Sequence, residues 1–203
     1  MFFERWKDVQ LGVVGQSGIT TIVNAANAQV KGIESDVSWL VVEDLELRAS
    51  GSYVNARTTQ NFCELSLQTQ VITHDCADPT APAGTPLPVT PRFKLNGTAR
   101  YKFNVADYAS YFQGTVIHQA SSTSYLNLAE NDETGNLPHF TTFDFALGTG
   151  MGNWHLEAYI ENAFDKEGQL SRNSECASVN CYTNYRVYPI TPQNFGVKFG
   201  EKF

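Results

Sequence analysis

The chain has 203 residues, of which 42% are hydrophobic, 12% aromatic and only 17% charged, and its formal net charge is −7. The charged share falls below the ~25% of an ordinary soluble domain, and the scattered Lys and Arg form no basic stripe, which argues against a nucleic-acid binder. No apolar run approaches the ~18 residues of a membrane-spanning helix.

The stretch Met1-Phe2-Phe3-Glu4-Arg5-Trp6-Lys7-Asp8 puts charges where the apolar region of a secretion signal belongs. The chain is therefore expected to begin inside a mature strand, as a piece of a longer protein. A first strand is predicted over 2–13 and a second over 25–41. The apolar face of the second switches near Gly32-Ile33, which reads as a bulge. The third, 45–59, alternates Leu45, Leu47, Ala49, Gly51 and Tyr53 with Glu46, Arg48, Ser50 and Ser52.

The connection 60–91 follows, with Cys63, Cys76 and the prolines Pro79, Pro82, Pro86, Pro88 and Pro91. Loops of this length are usually functional or disordered, and an outward-facing lid is the expected role here. The fourth strand, 92–105, carries the clearest period of two. Phe93, Leu95, Gly97, Ala99, Tyr101, Phe103 and Val105 share one face, opposite Arg92, Lys94, Asn96, Thr98, Arg100, Lys102 and Asn104. The fifth, 108–121, is ambiguous, with Tyr111, Phe112, Val116 and Ile117 falling on both faces.

After a connection over 122–138, a sixth strand, 139–150, alternates Phe143, Phe145 and Leu147 with Asp144 and Ala146. A seventh, 153–164, sets Trp154, Leu156, Ala158 and Ile160 against His155, Glu157, Tyr159 and Glu161. A loop over 165–192 holds Cys176 and Cys181, and the eighth strand, 193–203, carries Phe195, Val197 and Phe199.

Tight turns near Val42-Glu43-Asp44, Ala106-Asp107 and Met151-Gly152 alternate strictly with long connections at about 14–24, 60–91, 122–138 and 165–192. In an antiparallel meander every tight turn then lies at one end and every long loop at the other, as in outer-membrane barrels. Strands near ~10 residues match a tilted bilayer crossing. Tyr53, Phe93, Tyr101, Phe103, Trp154 and Phe164 suit the two aromatic belts. The expected fold is all-β: an antiparallel transmembrane β-barrel meander of about eight strands, with Leu95, Ala99 and Phe103 towards lipid and Lys94, Thr98 and Lys102 towards a wet lumen. Two alternatives stand beside it, a complete small eight-stranded outer-membrane protein and a soluble secreted β-sandwich.

The cysteines fall into two local pairs, Cys63 with Cys76 and Cys176 with Cys181, which fits intraloop disulfides in an oxidising compartment. Free thiols and a metal site remain alternatives, the latter invited by His74 and Asp75 beside Cys76, although neither pair has the spacing of a zinc knuckle. His118, His139, His155 and Asp144 raise the question of a hydrolase, but no serine stands beside them in a recognisable turn. They read as lumen polar groups, with Glu157 and Glu161 available to pair with Arg48, Arg92 and Arg100. No catalytic, metal or cofactor residue is assigned.

Several runs resemble the closing portion of TonB-dependent receptors. They are Trp6-Lys7-Asp8-Val9-Gln10, Asn24-Ala25-Ala26-Asn27-Ala28 followed by Gly32-Ile33-Glu34, Asn162-Ala163-Phe164-Asp165-Lys166, and Tyr188-Pro189-Ile190-Thr191-Pro192 followed by Phe195-Gly196-Val197 and Phe203. The resemblance makes residues 1–203 the C-terminal part of a larger, ~22-stranded barrel whose plug and earlier strands lie elsewhere. It implies a bacterial outer-membrane, multi-pass location in contact with outer-membrane lipid. It also implies a part in uptake of a scarce nutrient such as a ferric siderophore, with the TonB energy-transducing complex and a nutrient ligand as partners. Phe195, Val197, Phe199 and Phe203 would form the signal read by the barrel-assembly machinery, with Glu201 standing where an aromatic or aliphatic residue is expected.

Overall fold

The computed structural model describes residues 1–14, 20–63, 74–174 and 185–201. Within them lie β1 (Phe2–Val14), β2 (Thr20–Val42), β3 (Leu45–Thr58), β4 (Phe93–Val105), β5 (Tyr108–Gln119), α1 (Leu128–Thr134), β6 (Phe140–Met151), β7 (Trp154–Glu161), β8 (Gln169–Ser174), β9 (Tyr185–Pro189) and β10 (Asn194–Glu201). One antiparallel sheet has the order β1-β2-β3-β4-β5-β6-β7-β10, and β8 and β9 form a separate hairpin. The predicted strands are thus all present as a meander. The sheet is not closed, since β1 and β10 are its two edges.

Antiparallel partners share a face, so the registers assign both sides of the sheet. Trp39, Leu47, Ala99, Gly114, Phe145, Ile160 and Phe195 form one transverse row of the apolar face. No second sheet covers this face among the described residues: Trp39 is 59% exposed, Val197 68% and Phe195 80%. A soluble sandwich would bury such a face against a partner sheet, and a barrel in lipid would not. The fifth strand resolves cleanly, with Phe112 and Val116 opposite Tyr101 and Gly97 on the apolar face, and Tyr111 and Ile117 opposite Lys102 and Asn96 on the polar one.

The face switch at Gly32-Ile33 is not a bulge. Pairing of β2 with β3 runs unbroken from Ala28↔Thr58 to Leu40↔Glu46, and its register shift falls between Leu40 and Val42. What changes is the surroundings. Below Ile33 the odd residues Ile33, Val37 and Trp39 make the apolar face. Above it the same face carries Lys31 and Gln29, while the even residues Val30 and Ala28 are covered by a loop. A bulge does occur in β1, where the register shifts between Trp6 and Val9 and Asp8 takes a positive φ of 53°.

Three connections differ from expectation. The first, predicted over 14–24, leaves only 15–19 between the strands, because the ladder from Val9↔Ala26 to Val14↔Thr20 continues past the apolar zone. The third contains α1, started by Asn127, whose side-chain oxygen accepts from the N–H groups of Ala129 and Glu130. The fourth contains the β8–β9 hairpin. The two-residue turns at Glu43-Asp44, Ala106-Asp107 and Gly152-Asn153 match the predicted tight end.

Candidate functional site

The polar face and the loops above it form one surface. Near its tight-turn end a chain of contacts crosses the sheet along the row Lys102↔Tyr111↔Gly148↔Glu157↔Lys198. The Tyr111 hydroxyl donates to Glu157, which also accepts from Lys198 Nζ at 3.0 Å. The Arg100 guanidinium lies 4.4 Å from the Tyr111 ring centroid and donates to Gln113 Oε1 at 2.8 Å. Lys198 Nζ sits 4.3 Å from the Tyr159 ring centroid.

Tyr111 reaches Glu157 across the whole width of β6, and Gly148 makes that possible. A Cβ on Gly148 would stand 2.3 Å from the Tyr111 ring. Gly148→Ala should therefore force the ring away, with loss of the Glu157 contact and a cost of about 1–3 kcal/mol typical of overpacking. Urea titration checks this, and in a Tyr111→Ala background the alanine should cost almost nothing.

The acid–base pairs are not the expected ones. Arg48 binds Glu46 Oε1 at 2.6 Å, two residues away on its own strand. Glu161 accepts from Asn194 Nδ2 at 3.1 Å. Register decides this, because Arg100 faces Gln113 while Lys198 stands directly opposite Glu157. Hollows of about 400 Å³ beside Glu34, Asp36, Ser52, Lys94 and Asn96, and about 590 Å³ beside Asp44, Arg100, Asn104 and Tyr111, open on this face.

The histidines separate. His155 is on the polar face opposite Gly150 and Gly200. His118 lies opposite Leu95 and Thr141 on the apolar face, a correction to the lumen assignment. There its ring centroid is 5.9 Å from Phe93 and 6.4 Å from His139, and its Nδ1 is 2.8 Å from Thr141 Oγ1. Asp144 faces inward and accepts from the Asn162 N–H at 2.8 Å. No serine joins these groups into a catalytic array among the described residues.

The loop between β3 and β4 folds back over the polar face. Thr58 N donates to Thr85 O and Leu87 N to Ala56 O, so the loop continues the sheet beside upper β3. Leu87 packs on Ala28 and Ala56, with Val9, Val30 and Val54 around them, and Phe62, Ala81, Ala26 and Leu126 form a second cluster. Leu128 N donates to Thr80 O at 3.1 Å and Val89 N to Thr123 O at 2.8 Å, tying this loop to the α1 segment. Arg172 on β8 in turn donates to Thr134 O. The described parts of the three long connections are thus tied to one another above the polar face. Sequence reasoning placed the long connections but not these ties, which are mostly backbone bonds that carry no residue signature.

Cys63 and Cys76 are joined in the structure, their Cα atoms 6.2 Å apart, while His74 Nδ1 turns to Asn61 O at 2.9 Å. Cys176 and Cys181 lie outside the described residues. If both pairs are disulfides, reduction should raise the intact mass by about four hydrogens; four thiols freely alkylated before reduction would contradict it.

In α1, burial pushes the Glu130 carboxyl up to about 7. The folded state holds this proton more tightly than an exposed glutamate does. The stability so gained is complete below the ordinary carboxylate range and is lost as pH rises through about 7. Amide protection over 128–134, corrected for intrinsic exchange, should fall across that window, and Glu130→Gln should flatten the profile.

An open antiparallel sheet with an uncovered apolar face, a charged opposite face, tight turns at one end and a loop cover at the other is a segment of an outer-membrane type β-barrel. The family model described as TonB dependent receptor-like, beta-barrel, matches residues 2–163, and the chain belongs to this family. Its members are outer-membrane receptors rather than enzymes. Among solved structures the chain is similar to the ferric yersiniabactin uptake receptor FyuA from Yersinia pestis, at 16% identity and a TM-score of 0.71, covering 99% of this chain and 26% of that one. It is also similar to the siderophore receptor PiuA from Acinetobacter baumannii, at 14% identity and a TM-score of 0.64, covering 96% and 24% of the two chains. The ferric preacinetobactin receptor BauA from the same species matches at 14% identity and a TM-score of 0.64, with 96% and 26% covered. The chain spans about a quarter of the length of these receptors. A search of curated proteins found no match.

Proposed function

We propose that residues 1–203 form the C-terminal part of the barrel wall and the outward loops of a receptor for energy-dependent uptake of a scarce nutrient, a ferric siderophore in the first instance. The observation that carries this reading is the loop cover seated on the polar side of a sheet whose other side is apolar and bare. Family membership supports the receptor role, and the siderophore receptors among the similar structures favour the siderophore class over cobalamin or sugars. In this reading the outer edges of β1 and β10 pair with further strands of the complete barrel, since unpaired backbone groups are costly in lipid. Partners are outer-membrane lipid, the TonB energy-transducing complex and the nutrient ligand.

On the same reading, Phe195, Val197 and Phe199 on the apolar face of β10, together with Phe203 beyond the described residues, serve as the assembly signal. The test is uptake of radioactive iron as ferric siderophores by cells with and without the complete gene under iron limitation. Uptake that needs both the gene and an energised inner membrane is expected. Unchanged iron uptake, with lost cobalamin or sugar uptake, would move the substrate class; no change in any of them would overturn the receptor reading.

A further inference from the structure

We propose that Arg5, Lys31 and Arg57 form a binding site for the phosphates of a phosphorylated glycolipid headgroup at the outer rim of the membrane. The register puts them together: Arg5↔Gln29↔Arg57 is one transverse row and Phe3↔Lys31↔Asn55 the next. All of these side chains share the face that becomes apolar one row below, at Ile33↔Tyr53↔Phe93. Diagonal neighbours on such a face stand roughly 7–8 Å apart, a spacing that lets the three cations converge on a single phosphorylated headgroup.

The chemistry of the patch is selective. The chain as a whole carries −7, yet no Asp or Glu occurs on this face in the rows from Gln29 to Ser35. The carboxylates Glu4 and Glu34 alternate onto the polar side, and Asp8 lies beyond Arg5 at the bulge. Arg5 and Lys31 are exposed, and neither has a carboxylate partner among the described residues. The Arg5 guanidinium lies 5.4 Å from the Phe3 ring centroid, so an aromatic surface supports it without neutralising it. Arg57 is held by Asn55 Oδ1 at 2.8 Å and Gly84 O at 2.6 Å, both neutral acceptors that leave its charge uncompensated. Phe3, Ile33 and Tyr53, each more than half exposed, lie alongside and would meet acyl chains and the interface. A cationic row immediately above an aromatic and aliphatic row matches the order of phosphate and acyl layers in a lipid leaflet.

The proposal rests on the membrane reading of the apolar face, and the experiment separates the two. The complete gene product is reconstituted in phosphatidylcholine vesicles doped with bisphosphorylated lipid A, or with the same lipid after removal of its phosphates. Bound lipid is measured by titration for the wild type, for Arg5→Gln with Lys31→Gln, and for Lys102→Gln on the polar face. At about fivefold for each cation near an anionic headgroup, the double substitution should weaken binding of the phosphorylated lipid about twenty-five-fold. It should also cut the preference over the dephosphorylated lipid by the same factor, leaving only the part that Arg57 supplies, and Lys102→Gln should do neither. Equal binding of the two lipids by wild type, or an unchanged double variant, would overturn the site. In parallel, a Phe93→Trp probe should be quenched by brominated acyl chains. Quenching without phosphate dependence removes only the headgroup site, whereas absence of quenching removes the membrane reading and the site together.

Discussion

Ala99→Arg should destabilise the barrel by about 2–4 kcal/mol, the cost of a cation on the lipid face near mid-membrane, while Thr98→Arg one position earlier should cost little. Ala99 lies between Leu47 and Gly114 on the uncovered apolar face, so the guanidinium would displace acyl chains. Thr98 lies between Arg48 and Thr115, and its hydroxyl is 3.1 Å from that of Thr115. A long cation there reaches water in the lumen. Urea unfolding of the complete receptor in lipid vesicles measures both. Equal costs at the two positions would mean a dry core on both sides and would remove the membrane assignment.

Asn162→Ala should cost ~2–4 kcal/mol, given roughly 1–3 kcal/mol for each buried group left without its partner. Asn162 is 4% exposed and ends β7 with a positive φ of 48°. Its Nδ2 donates to Lys166 O at 3.0 Å and Thr191 O at 3.2 Å, and its Oδ1 accepts from Lys166 N at 2.8 Å. Its own N–H meets Asp144, and Ala163 N donates to Phe143 O at 2.7 Å. The same turn holds the start of β10, because Gln193 donates to Asp165 Oδ1 from its N–H and to Ala163 O from its side chain. Loss of Asn162 should therefore loosen the outer ends of β7 and β10 together, read as faster amide exchange in both. Asn162→Asp keeps the acceptor but sets a buried carboxylate against the carbonyl oxygens of Lys166 and Thr191, so it should cost at least as much as the alanine. An effect confined to β7 would show that the turn does not couple the strands.

That turn shows how sequence and structure divided the information. Asn162-Ala163-Phe164-Asp165-Lys166 was recognisable as a motif, but its spelling does not say that Asn162 binds Thr191 across the long connection. Conversely, the strict alternation of 92–105 predicted every face assignment in β4, because a period of two needs only the strand itself. The same logic failed in β2. Its pattern changed phase at Gly32 although its backbone did not, since the environments of the two faces exchange where the strand rises out of the apolar zone and under the loop. His118 was misplaced for a related reason: a polar residue was assigned to the polar face, whereas register sets it on the outer one beside Phe93.

Composition, alternation and the order of tight and long connections were enough to determine an antiparallel, membrane-type meander and which end carries the loops. These are properties of each strand and its neighbours in sequence. Only the tertiary structure decided the Tyr111–Glu157–Lys198 relay over Gly148, the tying of three loops to one another, and the gathering of Arg5, Lys31 and Arg57 on one face. Each of these depends on which residue stands opposite which across several strands. A change of register by a single residue would send every side chain to the other face, and that register is set by turns, bulges and ladder bonds between distant parts of the chain.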